Sequence, residues 1–188
     1  NSAASRSATS SAYADAARSG QVELATSPYH HPILPLLVDS GSPRANEPSL
    51  HLPDPPFAHP EDAREQLRRA RESHARRFGA PPRGCWPSEG AVDQATVELI
   101  GREGFSWTAS DESVLARSLG IQEPGGPDWP GLLYRPYRVD TLAGPLGILF
   151  RDRAFSDLIG FAYMFWEADR AADDFVARVL RAGDAARS

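Results

Sequence analysis

Apolar and polar positions alternate along this chain with two periods. From Pro60 to Phe78, Ala63, Leu67, Ala70, His74 and Phe78 recur every three or four residues, which predicts an amphipathic helix. Pro60 suits its first position, Glu61 and Asp62 its first turn, and Gly79 its end. Glu65 and Arg69 add an i,i+4 pair on the polar face. Gln21 to Ala25 alternates instead, with Val22 and Leu24 on one side, and predicts a short strand. The segment around Tyr13 to Arg18 reads as a helix end stopped by Gly20, and Ile33 to Val38 as a short helix. Six prolines make Ser40 to Pro60 a long irregular loop.

Beyond the long helix the periods interleave. Strands are expected at Arg83–Trp86, Phe105–Ala109, Leu132–Val139 and Leu146–Phe150. Helices are expected at Ala91–Arg102, Asp111–Ser118, Phe155–Phe165 and Asp169–Leu180. Gly125 to Pro130 reads as a Gly/Pro loop. Strands alternating with helices imply an α/β fold with a parallel sheet, open or closed into a barrel.

Composition narrows the chemistry. The 188 residues suit one domain. All 20 basic residues are Arg, so Schiff-base lysine chemistry and a P-loop are excluded. The single Cys85 excludes an internal disulfide and any multi-cysteine zinc site, and reads as a buried small residue. The net charge of −5 argues against a nucleic-acid partner. No apolar run approaches the ~18 residues that span a membrane, so no membrane partner is expected, and the expected location is cytoplasmic. The stretch Asn1 to Ser19 reads as the tail of an interrupted element.

Two carboxylates follow strand ends. Glu89 lies in Trp86-Pro87-Ser88-Glu89-Gly90 and Asp111 in Thr108-Ala109-Ser110-Asp111-Glu112, one βα unit later. Parallel α/β folds put function at the C-terminal strand ends, and right-handed crossovers put successive strand ends on one side. With strands ~4.8 Å apart, the two carboxyls are expected about 5–10 Å from one another. That gap suits glycoside hydrolysis, with either a nucleophile or a water between the pair. The plain alternative is helix capping by Ser110 or Asp111. Tyr29, Trp86, Trp107 and Trp166 are candidates to stack on sugar rings, with core packing as the alternative. Glu23, His30 and His31 are not spaced as a metal set, and no metal or cofactor is expected.

Several stretches together resemble glycoside hydrolase family 57. Gly20-Gln21-Val22-Glu23-Leu24 with Ser27-Pro28-Tyr29-His30-His31-Pro32 is similar to its second conserved region. Trp86-Pro87-Ser88-Glu89-Gly90 is similar to its third and Ala109-Ser110-Asp111-Glu112 to its fourth. Phe150-Arg151-Asp152, with Ser156-Asp157-Leu158-Ile159-Gly160-Phe161 and Trp166, is similar to its C-terminal block. The first conserved region has no counterpart, and Ser110 stands where the family usually has Thr. The resemblance implies a partial (β/α)7 barrel over residues 1–188, lacking its first strand and the helical region that follows. It implies a retaining enzyme on α-glucans, with Glu89 as nucleophile and Asp111 as acid/base. Glu23, His31 and Trp86 would line the donor subsite, with Tyr29, Arg151, Asp152 and Trp166 as further substrate-binding residues. A glucanotransferase or branching enzyme is the alternative within the family. A metal-dependent polysaccharide deacetylase and a non-catalytic glucan-binding remnant are the alternatives outside that reading.

Overall fold

The computed structural model describes residues 11–122 and 124–187. They divide into two compact units. The first ten residues, read from sequence as part of an interrupted element, lie outside the described residues.

The first unit holds the described residues up to Thr108 together with Arg138–Gly147. Residues 11–18 are helical, and Gly20 ends that helix with φ +74°. The strand expected at Gln21–Ala25 does not form. The Val22 amide turns back to the Ala16 carbonyl at 3.3 Å, and Val22 is exposed. Only Thr26 joins the sheet, through a parallel bridge to Cys85. Helix α1 (Leu34–Val38) precedes the loop, which holds one 3-10 turn at Ser42–Ala45. Ser40 and Phe57 close the loop's neck: Ser40 N–H donates to the Phe57 carbonyl and Phe57 N–H to Ser40 Oγ, both at 2.8 Å.

Helix α2 (Pro60–Phe78) matches its sequence signals from end to end. Pro60 opens it, and Gly79, at φ +84°, closes it with its N–H on the Ala75 carbonyl. Ala63, Leu67, Ala70 and His74 form its buried face. Strand β1 is Gly84–Cys85, and helix α3 (Gln94–Arg102) starts where the Asp93 side chain accepts the Thr96 N–H at 2.8 Å. The helix expected from Ala91 therefore begins three residues later. Strand β2 (Trp107–Asp111) pairs in parallel with β1, Gly84 opposite Trp107 and Cys85 opposite Thr108. Phe105, expected within β2, is instead buried in the core. Strands β3 (Tyr137–Thr141) and β4 (Gly144–Arg151) are joined by two residues, which makes them an antiparallel hairpin. The sheet order is β1-β2-β4-β3. Leu34, Leu67, Cys85, Ile100, Phe105 and Leu146 fill the core beneath it. Burying each large aliphatic chain contributes roughly 1.5–3 kcal/mol.

The second unit holds Ala109–Tyr137 and the described residues from Ile148. Helix α4 (Glu112–Ser118) is followed by α5 (Trp129–Leu133). Their contact face is Leu115, Ala116, Trp129 and Leu133, flanked by Tyr137 and Phe150. The strand expected over Leu132–Val139 is thus split. Leu132 and Leu133 belong to a helical turn opened by Pro130, and extended structure resumes at Tyr137 after Pro136. Helix α6 (Arg153–Asp157) runs into a π turn (Leu158–Ala162) and a 3-10 turn (Tyr163–Phe165), where one helix was expected. Gly160, a poor helix former, sits in the middle of this irregular stretch. Helix α7 (Ala168–Ala185) is longer than expected, with Glu167 capping its start.

Candidate active site

In the first unit the chain turns sharply after β1. Ser88–Gly90 is a single 3-10 turn, and Glu89 stands in it with φ +58°. His31 adopts the same left-handed backbone, φ +57°. These are the only non-glycine residues with positive φ among the described residues. A left-handed residue with a Cβ costs roughly 1–2 kcal/mol. The two side chains meet: His31 Nε2 lies 3.7 Å from Glu89 Oε1. The Glu89 side chain is 73% exposed, so its carboxylate projects toward solvent.

Glu23 is held differently. Its Oε1 accepts the Trp107 indole N–H at 2.6 Å, and Arg83 lies 3.6 Å from Oε2. Trp107, weighed from sequence as a stacking or core residue, is the positioning partner of Glu23. Trp86 is half-buried and donates its backbone N–H to the Thr26 carbonyl at 2.8 Å. Tyr29 is exposed, with its ring edge-on to His30 at 4.7 Å.

In the second unit Asp111 ends β2 and caps α4, its Oδ1 accepting the Ser113 N–H at 3.0 Å. It is a buried carboxylate clamped by two guanidinium groups. Arg151 Nε donates to Oδ2 at 3.0 Å, and Arg153 Nη2 to Oδ1 at 2.5 Å. Burial alone would raise the Asp111 pKa. Hydrogen bonds from Arg153, Ser113 and Arg151 outweigh it and hold the carboxyl well below the usual carboxylate range. Asp152 caps α6 through the Phe155 N–H at 2.9 Å and accepts the Tyr134 hydroxyl. Glu112 accepts the Trp129 indole N–H and the Arg153 backbone N–H, each at 2.9 Å. Trp166 packs edge-on against Tyr163 at 5.3 Å, with Arg170 over its face at 4.8 Å.

Arg153 was not singled out from sequence. The signal was present: in Arg151-Asp152-Arg153 the two arginines are two residues apart, the spacing that repeats on one side of an extended chain. Among the described residues, no group of three His, Cys, Asp or Glu side chains could hold a metal ion. No helix among them is long and apolar enough to cross a membrane.

The model of glycosyl hydrolase family 57 matches residues 6–186. The chain belongs to glycosyl hydrolase family 57. Its fold is that of the family's barrel enzymes. The crystal structure of 4-alpha-glucanotransferase from Thermococcus litoralis is 18% identical, with a TM-score of 0.54. That match covers 79% of this chain and 19% of the other. The alpha-amylase AmyC from Thermotoga maritima is 17% identical, with a TM-score of 0.54, over 80% of this chain and 23% of the other. This family 57 chain therefore spans about a fifth of the length of those structures. No curated protein matches it.

Proposed function

We propose that this family 57 chain carries the catalytic carboxylates of a retaining glycosidase acting on α-glucans. The observation that carries the reading is Glu89: an exposed carboxylate after a strand end, in a left-handed turn, beside a histidine in the same conformation. Uncommon backbone conformations of this kind concentrate at functional sites. The relatives in structure, a 4-alpha-glucanotransferase and an alpha-amylase, support the substrate class.

Glu89 attacks the anomeric carbon and forms a glycosyl ester as the glycosidic C–O bond breaks. Asp111 gives its proton to the leaving oxygen. Ionised again, it then takes a proton from the water or sugar hydroxyl that cleaves the ester, which returns Glu89 as a carboxylate. Water gives hydrolysis, and a sugar hydroxyl gives chain transfer. Glu23, His31 and Trp86 bind the donor sugar, and Tyr29, Arg151, Asp152 and Trp166 also contribute to substrate binding.

The test is product stereochemistry in azide. Glu89→Ala removes the nucleophile and should yield only a glycosyl azide of inverted configuration. Asp111→Ala should still load an activated aryl glycoside, and azide should release it with retained configuration. On natural glucan each variant should lose at least ~10²–10⁴-fold. Near-normal starch turnover by both, or inverted azide alone from Asp111→Ala, would overturn the assignment.

A further inference from the structure

A carboxyl that is to donate a proton needs a free lone pair, and Asp111 offers none. Among the described residues, Oδ1 accepts from the Ser113 N–H at 3.0 Å, the Ser113 hydroxyl at 2.7 Å and Arg153 Nη2 at 2.5 Å. Oδ2 accepts from Arg151 Nε at 3.0 Å and Arg153 Nε at 3.4 Å. A carboxylate has about four lone-pair positions, so this donor set fills it. In that arrangement it can neither hold a proton nor meet a glycosidic oxygen.

The donors differ in their freedom to leave. The Ser113 N–H belongs to the first turn of α4 and is fixed by the helix. Arg151 reaches Oδ2 from the last position of β4, through Nε. Arg153 opens α6, and its side chain is 53% exposed. Its backbone is pinned, because its N–H donates to Glu112 Oε1 while Glu112 Oε2 is held by Trp129. With its backbone pinned and its side chain half-exposed, Arg153 is the donor with open space beside it, although its Nη2 also reaches Ser113 Oγ at 3.2 Å. Asp111 is the strongest partner of that guanidinium, and two further carboxylates, Glu112 and Asp157, also favour its charge.

We propose that Arg153 is a positioning residue for Asp111: it holds the carboxylate in place in the substrate-free protein and yields Oδ1 when Asp111 takes up the proton destined for the leaving oxygen. The proposal rests on the reading of Asp111 as the acid/base. Arg151 stays on Oδ2 and keeps the carboxyl oriented while Arg153 moves.

The test compares Arg153→Gln, Arg153→Lys and the parent in two readouts. The first is the pH profile of kcat/KM on maltooligosaccharides, whose alkaline limb reports the group that must be protonated. The second is the ¹³C carboxyl titration of Asp111 by NMR. Removing a cation that favours the ionised form raises the carboxyl pKa, so in Arg153→Gln both should move to higher pH by about one unit or more. Arg153→Lys keeps the charge and should leave both near the parental position. Arg153→Met keeps the stem, removes every donor and replaces the glutamine variant if that one does not fold. A drop in kcat with limb and titration unmoved would overturn the proposal, since a structural role alone predicts that result. If Asp111→Ala keeps normal glucan turnover, the acid/base reading fails and the proposal with it. A shifted Asp111 titration in Arg153→Gln would then mark a charge contact without a catalytic role.

Discussion

Trp107 lies against Gly84 so closely that a Cβ on residue 84 would stand 2.1 Å from the ring's Cζ2 atom. The two residues are direct neighbours across the parallel β1–β2 pair. Only the missing side chain at position 84 lets the indole take this place, and the place directs its N–H at Glu23. Gly84→Ala should therefore displace Trp107 and release Glu23. Overpacking typically costs about 1–3 kcal/mol, and the lost hydrogen bond adds to that. Urea unfolding followed by tryptophan fluorescence should show an earlier midpoint and an altered native emission.

Glu89 and its turn make a second test. A left-handed position favours glycine, whereas alanine keeps the conflict between Cβ and backbone. Glu89→Gly should be more stable than Glu89→Ala by about 1 kcal/mol, measured by thermal unfolding. Both should be inactive if Glu89 is the nucleophile. Equal stabilities would mean that the left-handed backbone at 89 carries no cost.

Acid should weaken the Asp111 clamp in a set order. Its folded pKa lies below the unfolded value of about 3.9, so its contribution is fully present above that value. It is lost as pH falls through the folded pKa. Asp111→Asn should cost about 1–3 kcal/mol at neutral pH. The gap to the parent should narrow steadily below about pH 4. Paired unfolding curves across that range give the comparison, and a gap that widened on acidification would contradict the clamp.

The Ser40–Phe57 neck predicts where the long loop opens. Ser40→Ala removes the hydroxyl that accepts the Phe57 N–H, at about 1 kcal/mol. Limited proteolysis between the two residues should speed up roughly fivefold, with α2 left uncut.

These relationships differ in how far local pattern reveals them. Helix α2 was legible because Pro60, its acidic first turn, its apolar stripe and Gly79 all point one way. Asp111 was legible as a carboxylate at a strand end, and Asp152 only through the block similar to the family's C-terminal one. The strand read into Val22 and Leu24 failed because alternation shows a face without showing that a partner exists. Leu132 and Leu133 read as strand because a one-turn helix is too short to display its period. The left-handed backbones of His31 and Glu89 carry none of the Gly or Asn that usually marks one. The bond from Trp107 to Glu23 joins residues 84 positions apart, and local periodicity says nothing at that range. Arg153 was hidden by number, since in a chain rich in arginine each one looks like a solvated surface charge.

The sole cysteine gives this chain a built-in clock. Cys85 is fully enclosed among the apolar side chains of the first unit, and burial pushes its thiol pKa up to about 12. A thiol in that setting has almost no thiolate, and a reagent in solvent cannot reach it. Alkylation must wait for β1 to come away from its neighbours. The rate at which label accumulates therefore counts openings of the first unit alone, because the second unit holds no thiol to report. Mass spectrometry of a labelling time course can time the motions of one unit of the chain, with no probe engineered in.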